Sequence, residues 1–284
     1  MIIISYELSG RLGNNIIQYW TAYFLSKQTG GLLVPPPNKG ATPLIIDDND
    51  WETWAPTMTD EQIRDKFALT QKANIYLKGY FQRGNVFLRH PEWLLETIQS
   101  TFQFVPQLPI KQLFQPCSIA MSPSTAVVHL RLSDFNYQGQ SNIVDPMFYV
   151  TEMKLAIDQH NIDSFLVVVD KITLQGESKY MNKLSQLLTA NIDEIASGRV
   201  KLQLLSGSVL EDWNTIRCAP YVISSNSTYA FTACLYGMLD TTDVEGGVKR
   251  VVYPQTYFYP QQQFDILLDG WRNVDVQRIN FDTL

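Results

Sequence analysis

A chain of 284 residues with 45% hydrophobic and 18% charged residues has the apolar material for one large or two medium soluble domains. Its 22 basic residues against 28 acidic ones leave a net charge of −6, which excludes a nucleic-acid binder that depends on a broad basic surface. Three cysteines, Cys117, Cys218 and Cys234, with no CxxC pair, argue against a disulfide framework or a cysteine zinc site and fit a reducing compartment. Residues 2–4 read as a strand, and no apolar run approaches the roughly 18 residues of a membrane span. The expectation is a cytoplasmic protein with no transmembrane segment.

The apolar run Ile2-Ile3-Ile4 is followed by "GRLGNNIIQY" (10–19), two glycines, an arginine and two asparagines between a strand and a helix. Residues 14–29 carry Ile16, Trp20, Tyr23, Phe24 and Lys27 at three-and-four spacing and stop at Gly30-Gly31, which predicts a helix. Leu32-Leu33-Val34 reads as a strand that three prolines at 35–37 must end. Residues 38–74 are polar and acidic with weak periodicity. "IYLKGYFQ" (75–82) predicts a strand and loop, and residues 91–101 a helix. Pro106, Pro109, Pro116 and Pro123 mark 105–124 as a linker.

Beyond it strand and helix alternate. "TAVVHLRL" (125–132) has the apolar density of a buried strand. Asp145-Pro146 is an N-cap and first-turn proline for a helix to about 159. "SFLVVVD" (164–170) is a strand, 178–189 a helix and "VKLQLL" (200–205) a strand. Ser208 and Glu211 form a capping box for a helix to about 218. "YVISS" (221–225), a small-residue helix through Ala230, Ala233, Cys234 and Gly237, and the strand "RVVYP" (250–254) complete the series. This order predicts an α/β fold with mostly parallel sheets and helices on both faces, in two halves, 1–124 and 125–284.

In open α/β sheets ligands bind beyond the carboxyl ends of the strands. Three polar clusters fall there: the loop at 10–14, His129 to Asp134 after the strand from 125, and Ser224 to Thr228 ahead of a helix. A helix N-terminus offers unpaired N–H groups and positive dipole to a phosphate, and Arg131 offers a fork of donors. His129 and Arg131 alternate and so share a strand face. The bland alternatives are a helix cap, a core histidine and an ion pair between Arg131 and Asp134. "LIIDDND" (44–50) runs into Asp48-x-Asp50, the carboxylate pattern of a metal-dependent nucleotide-sugar transferase, or an acidic solvated loop. Gly10-x-x-Gly13 lacks the residues of a P-loop or a dinucleotide loop.

These stretches resemble a known family. "GRLGNNIIQY" is similar to the opening G-R-L-G-N-Q-x-x-Q-Y of the α-1,2-fucosyltransferases, glycosyltransferase family 11, and "LKGYFQ" (77–82) to their L-x-G-Y-F-Q. "VVHLRLSDF" (127–135) resembles their H-x-R-R-G-D-Y, shared more loosely with α-1,6- and protein O-fucosyltransferases. Residues 208–237 resemble their acidic-aromatic helix, strand and N-S-T/S-F-S-W-W segment. The resemblance implies a GT-B-like fold of two Rossmann-type halves, an acceptor-side N-terminal domain and a C-terminal domain for GDP-fucose. It implies inverting transfer of fucose to a hydroxyl of a glycan acceptor, the 2-OH of a galactoside, with no required metal or cofactor. Arg131 would bind the diphosphate and stabilise departing GDP, with His129 and Asp134 shaping that site. For a general base the sequence offers Asp134 and, behind it, Asp145, and does not choose between them. Ser225, Asn226, Ser227 and Thr228 would contact phosphate, Asp170 the nucleoside, and Arg11, Gly13 and Asn14 would line the cleft. Where the family has a second arginine and a glycine, this chain has Leu132 and Ser133, which leaves open another GDP-sugar or a binding relative without turnover. Asn226-Ser-Thr is the single N-glycosylation sequon in the chain, and a glycan there would block the phosphate site.

Overall fold

A computed structural model describes residues 2–34, 43–47, 50–51, 58–68, 74–81, 89–104, 121–132, 143–239, 249–255, 270–276 and 278–279, with backbone alone at 98–104, 255 and 278–279. The chain divides into two compact units, Met1–Phe114 with Tyr259–Ile266 and Gln115–Phe258 with Leu267–Leu284. Each contains a parallel sheet flanked by helices, so the expected α/β class with mostly parallel sheets is what the protein has.

In the first unit β1 (Ile3–Tyr6), β2 (Leu32–Leu33), β3 (Leu44–Asp47) and β4 (Ile75–Lys78) form a sheet in the order β2-β1-β4-β3. All three pairings are parallel. Helix α1 (Leu12–Thr29) ends on Gly30 in the left-handed conformation, at φ 66°, as the Gly30-Gly31 stop predicts. Helices α2 (Asp60–Ala68) and α3 (Pro91–Phe104) complete the unit. The weakly periodic stretch 38–74 holds β3 and α2, neither visible in its pattern, because a four-residue strand and a nine-residue helix span too few periods.

α2 and α3 meet at His90, which precedes Pro91 and accepts backbone bonds from Trp93 and Leu94. Its ring stacks on Trp93 at 3.7 Å between centroids. Nε2 lies 2.5 Å from Asp60 Oδ2 and Nδ1 3.0 Å from Glu92 Oε1, with the Arg89 guanidinium 3.7 Å from Asp60. Burial pulls the His90 pKa down, but the hydrogen bonds and charges of Asp60 and Glu92 outweigh it and leave the pKa raised.

Among the described residues the main sheet of the second unit has six strands: β5 (Thr125–Leu130), β7 (Ser164–Val169), β8 (Lys201–Leu205), β9 (Tyr221–Ile223), β10 (Arg250–Gln255) and β11 (Trp271–Asp275). A separate antiparallel ribbon joins β6 (Ile143–Val144) to β12 (Arg278–Ile279). The main sheet runs β11-β10-β9-β5-β7-β8 and is parallel throughout. Counted along the chain, that is third-from-first reversed, 6-5-4-1-2-3, the doubly wound order in which winding changes direction between β5 and β9. β11 extends the series beyond 250–254, where the sequence pattern appeared to end. "WRNVD" shows little apolar alternation, and its edge is held by an ion pair from Arg272 to the buried Glu152.

Helices α4 (Pro146–His160), α5 (Gln175–Asn191), α6 (Asp193–Ala196), α7 (Val209–Cys218) and α8 (Thr228–Leu239) link these strands. The Asp145 carboxylate caps α4 by accepting from Met147 N at 2.8 Å. Ser208 and Glu211 form the expected capping box on α7. α8 packs closely on α7 because Gly237 has no Cβ, which would stand 2.1 Å from Arg217 O. Trp213 Nε1 donates to Thr232 Oγ1 across the pair. Lys249, buried, donates to the carbonyls of Ile216 and Arg217 at the C-terminus of α7, and burial pulls its pKa down to about 8. Cys218 is disulfide-bonded and Cys234 is free and buried. A disulfide runs against the expectation, drawn from the three cysteines, that a reducing compartment fits best. Among the described residues no helix is long and apolar enough to cross a membrane.

The His90 cluster predicts a pH-dependent stability. Protonated His90 contributes fully below its ordinary pKa of 6.5, and the contribution fades as pH rises through the higher folded value. His90→Gln therefore lowers the unfolding midpoint more at pH 6 than at pH 9, read by thermal denaturation at both; an equal drop at the two would contradict it.

Candidate functional site

At the carboxyl ends of the second unit's strands, the sequence places polar residues where the sheet can no longer use their backbone groups. β5 and β9 stay in register to Val128 opposite Ile223. One residue further, His129 is 4% exposed, and its Nδ1 lies 2.8 Å from Ser225 Oγ. This hydrogen bond spans the point where winding reverses, the place where doubly wound sheets open a crevice. Burial, with the nearby Arg131 charge added, pulls the His129 pKa down to about 3, so the ring is neutral at physiological pH.

β9 leads into α8 through Ser224, Ser225, Asn226 and Ser227. Ser227 O accepts from Phe231 N at 2.9 Å, which makes Ser227 the N-cap. Ser224, Ser225 and Ser227 are buried and Asn226 and Thr228 half-buried. Hydroxyls, an amide and the dipole of a 12-residue helix therefore converge beside His129.

On the other side of β5 the groups are acidic. β5 and β7 stay in register to Leu130 opposite Val169, so Arg131 and Asp170 are the next residues out on adjoining strands. Asp170 is exposed. Asp212, in the first turn of α7, accepts from Gly207 N at 3.0 Å. Its pKa is raised, by burial first and then by the charges of Glu211 and Asp170, against the lowering effect of the Gly207 bond. Tyr229 in α8 donates to Val209 O and lies 5.6 Å from His129, centroid to centroid. Burial and the charges of Asp212 and Asp170 raise its pKa, while Arg131 opposes them. Arg131 thus follows a strand flanked by β9, which leads into the α8 turn, and by β7, which leads to Asp170, with Asp212 of α7 close enough to be felt by both Asp170 and Tyr229.

The structure gathers His129, Arg131, Asp170, Ser225, Asn226, Ser227 and Thr228 at this end of one sheet. Asp134 lies outside the described residues, as does Ser133. Leu132 is 2% exposed and packs in the hydrophobic core, so the position of the resembled family's second arginine faces inward. Asp145 is engaged in capping α4. Asp212 and Tyr229 were not foreseen. A carboxylate in a first turn suits the helix dipole wherever it occurs, and a tyrosine in an apolar helix looks like core.

Arg11, Gly13 and Asn14 belong to the first unit, at the turn from β1 into α1. Gly10 adopts φ 78°, and a Cβ there would stand 2.3 Å from Asn14 Nδ2. Gln18, fully buried, donates through Nε2 to Ser9 Oγ and Gly79 O and accepts from Ser9 N. It ties the loop that leads into "GRLGNN" to "LKGYF". Of the acidic motif at 48–50, Asp48 lies outside the described residues, and Asp50 N donates to Asp47 Oδ1.

No protein-family model matches this chain, and no curated protein matches it. Among solved structures, a variant of Arabidopsis thaliana FUT1 in complex with GDP aligns over 84% of this chain and 69% of its own, at 9% identity and a TM-score of 0.48. POFUT1 in complex with GDP-fucose aligns over 89% of this chain and 97% of its own, at 9% identity and a TM-score of 0.44. A second crystal form of it gives 8% and 0.43. At this level of similarity the site rests on its own strand order and side chains.

The acidic half of the site yields a direct check. Replacing Asp170 by Asn removes a like charge from the surroundings of Asp212, so the Asp212 pKa falls toward its ordinary 3.8. Carbon-detected NMR titration of the side-chain carboxyls measures it, and an unmoved Asp212 would show that the two carboxylates do not share a site.

Proposed function

We propose that the second unit binds a nucleoside diphosphate sugar at the β5–β9 crevice and that the protein is a glycosyltransferase using a GDP-linked donor. The observation that carries this reading is the division of chemistry about Arg131. On one side stand serine hydroxyls and a helix N-terminus, which suit phosphate oxygens. On the other stands Asp170, with Asp212 of α7 in its electrostatic neighbourhood, and carboxylates suit the hydroxyl and N–H donors of a ribose and a base. Asp170 follows β7, the next strand of the main sheet after β5, the position where doubly wound nucleotide folds hold an acidic residue on the ribose. That last point is an analogy of fold.

The choice of GDP-fucose among donors rests on the motif resemblance carried by residues 10–19, 77–82, 127–135 and 208–237. So do the GT-B-like arrangement, the glycan acceptor and the 2-OH of a galactoside as its nucleophile. In the reading we favour, the acceptor oxygen forms its bond to the anomeric carbon on the face opposite the departing diphosphate. The C1–O bond breaks with its electron pair leaving on GDP, and the acceptor proton passes to a base. Negative charge grows on the leaving diphosphate, where Arg131, the α8 N–H groups and the neighbouring hydroxyls are already in place. This scheme calls for no metal.

A second reading has its own support. The inward-facing Leu132 leaves the crevice without the second cation of the resembled motif, as expected of a relative that binds the donor but turns it over poorly. Product formation from GDP-fucose over a panel of galactosides separates the two.

Binding to the folded state raises the unfolding midpoint, so GDP should stabilise the protein while ADP and UDP do so weakly. Arg131→Ala should abolish the GDP shift and, if the protein is an enzyme, lower turnover by roughly a hundredfold or more. A shift that survives Arg131→Ala would remove Arg131 from the site, and a preference for UDP would overturn the donor class. Transfer that persists in EDTA supports the metal-free scheme, and its loss would bring the acidic motif at 48–50 back into consideration.

A further inference from the structure

The hydrogen bond between His129 and Ser225 joins residues 96 apart in sequence, and its direction decides what each contributes. His129 is neutral, so its ring has one proton, on Nδ1 or on Nε2. Ser225 is 1% exposed, and its hydroxyl has its hydrogen-bond contact with His129 Nδ1. Were Nδ1 to carry the proton, ring and hydroxyl would face each other with the ring as donor, and the serine proton would be left buried without an acceptor among the described residues. Stranding a buried donor is costly, while the opposite direction satisfies both atoms. Ser224 does not compete, because its hydroxyl donates to the Ser225 carbonyl.

We propose that Ser225 is a positioning residue that donates to His129 Nδ1 and thereby holds the ring as the Nε2–H tautomer. Ser225 then acts on a ligand through His129 and makes no contact with it, a different role from the phosphate contact its place in the Ser-Asn-Ser-Thr turn suggests. His129 becomes an uncharged donor fixed in orientation, pinned by Ser225 on one edge and bounded by the Tyr229 ring. Beside Arg131 a second positive charge would be repelled, whereas a neutral N–H adds a hydrogen bond at no such cost. The ligand served is the diphosphate of the donor, which rests on the reading above; the tautomer does not.

Long-range proton–nitrogen NMR of the histidine rings tests the tautomer without any ligand. The chain has three histidines, so His129→Gln assigns the His129 signals by their loss. The expected spectrum has a bare Nδ1 and a protonated Nε2 from pH 8 down to pH 5. In Ser225→Ala the Nδ1 resonance moves and the two tautomers mix. A protonated Nδ1, or a spectrum indifferent to Ser225→Ala, overturns the proposal.

Calorimetry with GDP then tests the division of labour. His129→Gln, whose amide nitrogen reaches the place of Nε2, should bind within a few-fold of the wild type. His129→Leu should lose roughly tenfold or more, and Ser225→Ala should add no further loss in that background. Additive losses mean that Ser225 touches the ligand itself and overturn the positioning role. A wild-type protein that ignores GDP removes the donor reading, while the ring spectrum still decides the tautomer.

Discussion

The site in the second unit depends on one constraint: a fully parallel sheet whose winding reverses between β5 and β9. Parallel strands need crossover connections, and when successive crossovers go to opposite sides, the two strands at the reversal lack a loop across their carboxyl ends. Here that gap is flanked by a buried histidine and a buried serine bonded to each other, and the rest of the chemistry is arranged around the pair. A register slip of one residue in β5 would turn His129 to the other face, so the register from Thr125 to Leu130 is also what aligns the site.

The helices serve the same end. α8 comes close to α7 through Gly237, and the pair is tied by Trp213 and Thr232. α7 is capped at one end by Ser208 with Glu211 and anchored at the other by Lys249. Held at both ends, it places Asp212 in the same electrostatic neighbourhood as Asp170 and Tyr229. A carboxylate pair that would weaken a pure phosphate site is reasonable when the ligand brings its own hydroxyl and N–H donors on one side and its phosphates on the other. In the first unit the equivalent fastening is Gln18, which holds Ser9 and reaches Gly79, 61 residues further along the chain.

Long elements with clear ends were legible before any coordinates: α1 with its glycine stop, α4 with Asp145-Pro146, α7 with its capping box, and the dense apolar strands β5 and β7. Their signals are local, set by side-chain period and by caps within four residues. β3, α2 and β11 were not, since they are short or polar and owe their state to neighbours already in place. The cysteines mislead for a related reason, because an odd count says nothing of which pair comes close in space.

For the site, residue types and their position after strands could be read along the chain, since Arg131, Asp170 and the Ser224–Thr228 turn each follow an apolar run. What spacing along the chain does not contain is the order of strands. Residues 129 and 225 become partners, and Asp212 joins Asp170, because β9 inserts beside β5 while β7 and β8 take its other side. That choice is made by packing of the whole sheet and its helices, through contacts between residues far apart in sequence. Chemistry is written locally in this protein, while the meeting of its parts is a property of the sheet.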